Sequence, residues 1–377
     1  MNLRRVRAVA RKEFLHILRD PRSLVMAIVI PMLMLLLFGY ALTLDVDRVP
    51  LVVWDQSGSH ASRELVSRFD LSRYFALRGY VQSYAELEHA INTRWAMAGL
   101  VIPPDFPRWV ETGRAAAVQL IVDGSDANTA TIAIGYAELV AQTYSQDVQL
   151  ATVQRLSPSP LRPPLEMRPR VWFNADLESR NYIIPGLIGV IMMVIAALLT
   201  SLTVAREWER GTMEQLISTP VKGNELLLGK LLPYFAIGMF DVVLAVLMGE
   251  FLFRVPLRGS VAFLFGMSTL FLVGVLAMGL LISIVTKNQL LASQVAMIST
   301  FLPSFLLSGF MFAIANMPKP IQAITYVVPA RYFVSLLKGV YLKGVGLQIL
   351  AGEVLLLTVY GLVMVTLANV KFRKKLV

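Results

Sequence analysis

The chain has 377 residues, of which 56% are hydrophobic and 16% charged, and its mean hydropathy is +0.63. A soluble globular domain is nearer half apolar and a quarter charged, so this composition disfavours a soluble enzyme and favours a membrane protein. The absence of cysteine excludes disulfides and thiolate metal sites. The three histidines, His16, His60 and His89, share no ligand spacing, so we predict no metal site.

The net charge of +10 is unevenly distributed along the chain. Residues 45–180 carry 13 arginines, no lysine and 16 acidic residues, whereas the remaining, more apolar part has a net charge of +13. Such an excess suits a protein that lies among anionic lipid head groups. Because no basic stripe alternates with aromatic residues, the sequence predicts no nucleic-acid partner.

The first 22 residues form a predicted amphipathic helix that lies flat at the cytoplasmic lipid surface. Apolar residues recur there at helical spacing, with arginines opposite: Leu3, Val6, Ala10, Phe14 and Ile17. Asp20 and Pro21 should end the helix before the membrane. The alternative is a plain basic tail that only fixes the topology.

Six apolar stretches are long enough to span a bilayer, which takes about 20 residues. They are residues 24–44, 183–204, 231–253, 261–285, 290–315 and 347–370. The first is too long for the core of a cleaved signal peptide, so we interpret residues 23–44 as a retained first span. Residues 181–377 hold spans two to six.

Basic residues near the span ends determine the orientation, because positively charged loops stay cytoplasmic. The side that holds both termini has 16 such residues, and the other side has six. We therefore expect a multi-pass membrane protein with both termini on the cytoplasmic side and residues 45–180 on the outer side. Four of the six outward basic residues lie between spans five and six, where the pattern is weakest: Lys319, Arg331, Lys338 and Lys343.

Residues 45–180 are predicted to fold as an α/β domain, with strands at 49–54, 98–102 and 118–122 and helices between them. Ser83 and Glu86 fit a capping box. A long helix capped by Asn128 or Thr129 should extend to about Leu156, and a strand around 170–173 should lead back to the membrane. The acidic residues of this domain, Asp105, Glu111, Asp123 and Asp126, are interpreted as solvated surface carboxylates.

The most informative stretch is residues 206–216, between spans two and three. It is too polar to cross a bilayer, contains charges of both signs and Trp208, and becomes helical from Thr212, with Asn224 as a candidate cap of the next helix. A short helix between two spans can act as a lever if a soluble partner grips it. The alternative is a solvated loop whose charges only fix topology.

Polar features within the apolar half are few. Asp241 falls near the middle of span three, where an ionisable group either has a function or is paired. Span five is interrupted by Pro303 and Ser308-Gly309, and residues 321–345 are predicted to form a re-entrant or interfacial element. No phosphate-binding G-x-x-x-x-G-K-[ST] loop occurs, and the S-x-x-K match at Ser335–Lys338 lacks the companion motifs of acylating enzymes.

Over essentially its whole length the chain resembles the membrane subunits of bacterial type-2 ABC exporters, in the branch with a large domain after the first span. The order of several short pieces carries the resemblance: Lys12-Glu13-Phe14, Arg19-Asp20-Pro21-Arg22, 122–128, Pro185-Gly186-Leu187, 207–214, 229–234, Leu307-Ser308-Gly309-Phe310 and 329–333. The stretch 312–316 departs from the family pattern, so no outer-gate role is carried over to it.

The resemblance implies that the segment near 206–220 is a coupling helix that docks on a separate ABC ATPase subunit. Its predicted docking residues are Glu207, Glu209, Arg210, Gly211, Thr212 and Glu214. It also implies a place in the bacterial inner membrane, with both termini in the cytoplasm and residues 45–180 in the periplasm. A second permease, either a further copy or a related chain, is implied as well, with spans two and five lining the path. A periplasmic adaptor protein often joins this branch. ATP and Mg²⁺ would bind the partner, so this chain itself would hold no cofactor and no catalytic residue.

The sequence therefore predicts a permease that exports an amphiphilic, drug-like or lipid-like substrate in an ATP-driven complex. Two alternatives stay open at this stage. A proton-coupled secondary antiporter would use Asp241 as the proton carrier, although no inverted repeat is evident. A signal-transmitting protein would sense a ligand with residues 45–180, although the sequence encodes no cytoplasmic signalling module.

Overall fold

The structure, a computed structural model, describes residues 2–42, 48–112, 114–156, 172–174 and 178–372. The chain divides into two compact units. One comprises Met1–Thr43 together with Arg170–Val377 and is helical, and the other comprises Leu44–Pro169 and is mixed α/β.

The amino-terminal part is a series of helices. Helix α1 (Leu3–Arg19) begins at Asn2, whose side chain accepts a hydrogen bond from the Arg4 amide, and ends before Asp20 as predicted from sequence. Helix α2 (Pro21–Leu24), a π-helical turn (Val25–Val29) and α3 (Ile30–Ala41) follow directly. Val25–Ala41 is apolar but shorter than the other membrane-length helices.

The α/β unit alternates strands and helices. In chain order these are β1 (Val49–Asp55), α4 (His60–Leu71), β2 (Phe75–Tyr80), α5 (Tyr84–Asn92), β3 (Ala98–Ile102), α6 (Phe106–Glu111), β4 (Gln119–Val122) and α7 (Ala127–Leu156). The sheet has the order β2-β1-β3-β4, with β1 parallel to both neighbours and β4 antiparallel to β3. Since side chains alternate along a strand, Leu51 and Val53 pack with α4 and α7, and Val52 packs with α5 on the opposite face.

The carboxyl-terminal part contains the long apolar helices. They and their connecting helices are α8 (Ser179–Glu209), α9 (Thr212–Ser218), α10 (Gly223–Leu247, extended by a π-helical turn to Leu252), α11 (Val261–Thr286), α12 (Gln289–Leu307), α13 (Lys319–Thr325), α14 (Pro329–Lys338) and α15 (Leu347–Lys371). Within the described residues, five of these helices are long and apolar enough to cross a membrane: α8, α10, α11, α12 and α15. The chain is thus a multi-pass helical membrane protein.

Helix α8 lies at the centre of the helical unit. Almost its whole apolar length is buried by α3, α11, α12 and α14 of the same chain, whereas α12 and α15 leave most of their surface open. Spans two and five were both predicted to line a path, but they differ in how much surface is available for one. Helix α8 has little exposed surface, whereas α12 has much. Exposed apolar residues on α12 include Leu291, Val295 and Leu302.

Several sequence predictions need correction. Strand β2 was not predicted, and residues 172–174 form no strand; the rest of that predicted strand lies outside the described residues. Asp126, rather than Asn128 or Thr129, caps α7, because its carboxylate accepts hydrogen bonds from both of their backbone amides.

Two helix boundaries in the helical unit also differ from the prediction. Helix α12 ends at Leu307, eight residues before the predicted end of span five, and Gly309 follows with a positive φ of 78°. The cap position of α10 is Lys222, not Asn224.

Close packing of α8 and α11 depends on Gly279. A Cβ at this position would overlap the carbonyl oxygen of Ala197 and the hydroxyl of Thr200, and would lie 3.0 Å from the Ala197 Cα. We expect Gly279→Ala to destabilise the protein by about 1–3 kcal/mol, because the two backbones must separate. Gly266→Ala on the same helix is the matched control, since nothing lies within 4 Å of its Cβ position. Thermal unfolding in detergent measures both, and equal melting temperatures would contradict the packing described.

Candidate functional site

The predicted coupling segment is a helical corner. Helix α8 ends at Glu209, Gly211 adopts a left-handed conformation with φ of 70°, and α9 begins at Thr212. Glycine allows this φ without strain, so the chain can turn between the two helices within two residues. Met213 is buried in an apolar cluster with Val204 and Leu226, and this contact fixes α9 in place.

The corner presents part of its charge to the surface. Glu209, Arg210, Gly211 and Glu214 are exposed, and Thr212 is half-buried. Glu209 accepts hydrogen bonds from the backbone and side chain of Gln289 at the start of α12. Among the described residues, Arg210 and Glu214 form no ion pair within 4 Å. Arg210 also lines a cavity of about 450 Å³ beside α1.

Below the corner lies a group of four charged residues, which we call the ion cluster: Lys12, Glu13, Glu207 and Lys230. Three of them are buried, and Lys12 lies at the exposed edge of the cluster. The Lys230 ammonium is 1% exposed and lies 2.7 Å from Glu13 Oε1 and 3.1 Å from Glu207 Oε1. Lys12 Nζ is 2.7 Å from the same Glu207 oxygen and 3.5 Å from Glu13. The Thr212 hydroxyl donates to the other Glu207 oxygen. The cluster therefore joins α1, the end of α8, the start of α9 and α10.

The charges of the ion cluster balance one another. Two ammonium groups neutralise two carboxylates, as burial requires, because an unpaired ion in a poorly hydrated interior is costly. Partial burial lowers the pKa of Lys12, but its hydrogen bond to Glu207 and the nearby charge of Glu13 outweigh that effect, so the pKa lies above its usual range. Lys12 thus stays protonated at neutral pH.

Further contacts hold α1 against α10. The Asn2 amide donates to Glu225 Oε1 at 2.6 Å, and an Arg5 guanidinium nitrogen donates to the Pro220 carbonyl at 2.6 Å. A Cβ at Gly229 would lie 2.7 Å from Val9, so the two helices approach as closely as glycine permits. The predicted amphipathic helix is therefore packed on protein through Val6, Glu13 and Ile17, while Phe14, Leu15 and Leu18 remain exposed.

Glu207, one of the predicted docking residues, is buried in the ion cluster and is not exposed on the corner. Glu207 is only 8% exposed and both of its carboxylate oxygens are bonded within the chain, so in this conformation it is not presented to a partner. The docking of Glu209, Arg210, Gly211, Thr212 and Glu214 stays a prediction. Sequence reasoning missed Lys12, Glu13 and Lys230. A usable signal was present, because Glu13 lies on the same helical face as Val6 and Ile17, where a carboxylate needs a partner.

Asp241 lies on α10 and is 2% exposed. Its Oδ1 atom has no hydrogen-bond partner among the described residues. The adjoining cavity of about 10 Å³ is lined otherwise by apolar residues and Tyr234, and it has room for about one water molecule. Among the described residues that line this cavity there is no basic group and no second carboxylate, so the geometry assigns Asp241 no role.

The acidic residues of the α/β unit serve local structure. Asp123 and Asp126 are exposed, and hydrogen bonds from Ser125 and Thr129 lower the pKa of the respective carboxyl groups. Asp55 accepts from Ser57, Gly58 and Ser62 at the end of β1. Within the part of the chain that the structure describes, no group of three or more His, Asp or Glu residues could hold a metal ion.

The fold is that of a multi-pass helical membrane protein with an α/β unit, and sequence comparison identifies its family. The model of the ABC-2 family transporter proteins matches residues 21–370. "Probable multidrug ABC transporter permease YbhS" of Escherichia coli K12 is 41% identical over 100% of this chain and 98% of its own length, and "Probable multidrug ABC transporter permease YbhR" of the same strain is 30% identical over 98% and 99%. "Inner membrane transport permease YhhJ" is 25% identical over 88% of this chain and 86% of its own.

The chain therefore belongs to the ABC-2 family of transporter proteins. It is a type-2 ABC permease, a transporter membrane subunit rather than an enzyme. Membership implies an ABC ATPase as partner.

The ion cluster makes a sharp prediction for stability. Lys230→Met leaves two buried carboxylates without their shared cation, so we expect a loss of about 3–5 kcal/mol. Lys222→Met, an exposed lysine on the same stretch, is the matched control and should change little. Adding Glu207→Gln to Lys230→Met should restore part of the loss, because Lys12 can then neutralise Glu13. Thermal unfolding of the purified protein checks this, and a single variant as stable as the control would refute the cluster.

Proposed function

We propose that this chain is the permease subunit of an ATP-driven exporter that moves an amphiphilic substrate out of the cytoplasm or the inner membrane. The observation that carries the proposal is the ion cluster beneath an exposed, charged corner. The corner offers a surface to a soluble partner, and the cluster joins it to α1, α8 and α10. A push on the corner is therefore passed to several membrane helices together.

The mechanism follows from this rigidity. ATP binding closes two partner ATPases, and the movement displaces the corner at Gly211. Because Glu207 and Lys230 are joined in the buried cluster, the inner ends of α8 and α10 move as one body with α1. That movement changes the packing of the central helices and alternates access for the substrate.

The proposed orientation has both termini in the cytoplasm and residues 45–180 in the periplasm. Six spans are needed for it, so α2, the π-helical turn and α3 together serve as the first span. Residues 21–41 cover about 32 Å at 1.5 Å per residue, which matches a hydrocarbon core of about 30 Å.

The proposed assembly contains two permeases and two ATPases, with a second copy of this chain or a related permease. The open apolar face of α12 is the surface proposed for the path and the contact between permeases. Because the similar YbhS and YbhR proteins are named multidrug permeases, a drug-like or lipid-like substrate is proposed, with a periplasmic adaptor as a further partner.

The docking surface is tested by charge reversal. Glu209→Lys combined with Glu214→Lys should lower permease-dependent ATP turnover by about tenfold or more, because like-charge contacts in an interface cost several kcal/mol. The measurement is ATP turnover of the complex with its native ATPase in nanodiscs. The control is Glu88→Lys with Glu111→Lys, two exposed glutamates of the α/β unit. Normal turnover and co-purification in the first variant would argue against the proposed corner.

Asp241→Asn separates this proposal from a proton-coupled antiporter. An ATP-driven exporter should keep its ATP turnover, since Asp241 is far along α10 from the ion cluster and has no bonded partner to lose at Oδ1. An antiporter should instead move ethidium into vesicles under an imposed pH gradient without nucleotide, and should lose that transport in the variant. Gradient-driven uptake by the unmodified protein would therefore contradict the exporter.

A further inference from the structure

Helix α14 has one polar face. Arg331, Ser335 and Lys338 are spaced i, i+4 and i+7, so they form a single stripe along the helix. The opposite face is buried against the helical unit through Phe333, Leu336 and Leu337. Basic residues on the side opposite the termini run against the usual charge bias of membrane proteins, so their position needs an explanation.

The stripe lines a cavity of about 470 Å³. The other walls come from Gly309 after α12, from Tyr326 after α13 and from Glu353 and Leu356 of α15. This volume is within the range of about 300–1,000 Å³ typical of small-molecule sites. The apolar side of α15 continues from Leu356 with other exposed residues, including Leu355 and Val359.

The two cations of the cavity are positioned by neutral groups. The Arg331 guanidinium lies 3.8 Å from the centre of the Tyr326 ring and donates to the Gln322 carbonyl and the Thr325 hydroxyl. Lys338 Nζ donates to the Gly309 carbonyl at 2.8 Å and lies 3.4 Å from the centre of the Tyr182 ring. Among the described residues, neither cation has a carboxylate within 4 Å in any ion pair that the structure records.

The carboxylate of the cavity is likewise without a cation. Glu353 Oε1 accepts a hydrogen bond of 3.4 Å from the Ser335 hydroxyl. Because Ser335 bonds Glu353 while Lys338 bonds Gly309, the S-x-x-K match is not arranged as a nucleophile and base. The cavity thus holds two basic side chains and one acidic side chain that form no ion pair with one another.

We propose that this cavity binds the head group of an amphiphile that carries both a phosphate and a primary amine, as in phosphoethanolamine lipids. Arg331 and Lys338 would bind the phosphate, for which guanidinium and ammonium groups are suited. Glu353 would accept hydrogen bonds from the ammonium group. The acyl chains would lie along Leu356 and the exposed side of α15. The inference deepens the proposed function, on which it rests for the outward position of the cavity.

The experiment measures lipid binding to the purified full-length chain by native mass spectrometry. The probes are phosphatidylethanolamine, phosphatidylglycerol and phosphatidylcholine with identical acyl chains. We expect phosphatidylethanolamine to bind about tenfold more tightly than the other two, because only it offers a phosphate and N–H donors together. Equal binding of all three would overturn the proposal. ATP turnover is not involved, so a negative result here leaves the proposed exporter intact.

Variants separate the two halves of the site. Arg331→Gln with Lys338→Gln should abolish the preference and weaken all three lipids, whereas Glu353→Gln should remove only the preference for the amine. Arg331→Lys should retain binding, which shows that a lost cation rather than lost packing is responsible. Lys319→Gln with Lys343→Gln, two exposed lysines on the same side, is the control. Unchanged selectivity in Glu353→Gln or in the double cation variant would overturn the assignment.

A soluble probe distinguishes the source of the head group. Free phosphoethanolamine should compete with phosphatidylethanolamine only at much higher concentration, because it makes no contact with Leu356 and the exposed side of α15. Equal affinity of the free compound and the lipid would assign the cavity to a water-soluble ligand and overturn the amphiphile.

Discussion

A buried ammonium group requires a negative partner, and Lys230 finds two that come from distant parts of the chain. Glu13 belongs to the first helix and Glu207 to the end of α8, and both lie within hydrogen-bonding distance of the same nitrogen. Separating either partner would leave an uncompensated charge in a poorly hydrated place, which is far more costly than breaking a surface ion pair. The parts of α1, α8 and α10 around these residues are therefore held in one arrangement, which also supports the corner at Gly211.

Charged residues are arranged differently in the ion cluster and in the cavity beside α14. In the ion cluster the positive and negative groups neutralise one another, so the cluster serves structure. In the cavity beside α14, Arg331 and Lys338 rest on carbonyls and aromatic rings, and Glu353 rests on a hydroxyl. Such groups are oriented yet remain electrostatically available. The same residue types therefore form ion pairs in the ion cluster and form none in the cavity beside α14.

Local pattern made much of the fold predictable. The apolar runs, the boundaries of β3 and the end of α7 depend on neighbours in sequence, so composition and spacing suffice for them. Strand β2 was not predicted, because it is a half-exposed edge strand that contains Arg78 and lacks a continuous apolar run. The ion cluster was not predicted for a different reason. Its partners are far apart in sequence, and nothing in the neighbourhood of Glu207 reveals that Lys12 and Lys230 lie next to it.

That separation has a consequence for biogenesis. Lys230 is 217 residues beyond Glu13, which corresponds to about 10–40 s of synthesis at bacterial and eukaryotic ribosome speeds of about 5–20 residues per second. During this interval the emerging first helix has no lysine from α10 with which to pair. Helix α1 can make this contact only after the start of α10 has been synthesised, so its docking against α10 comes long after its own synthesis.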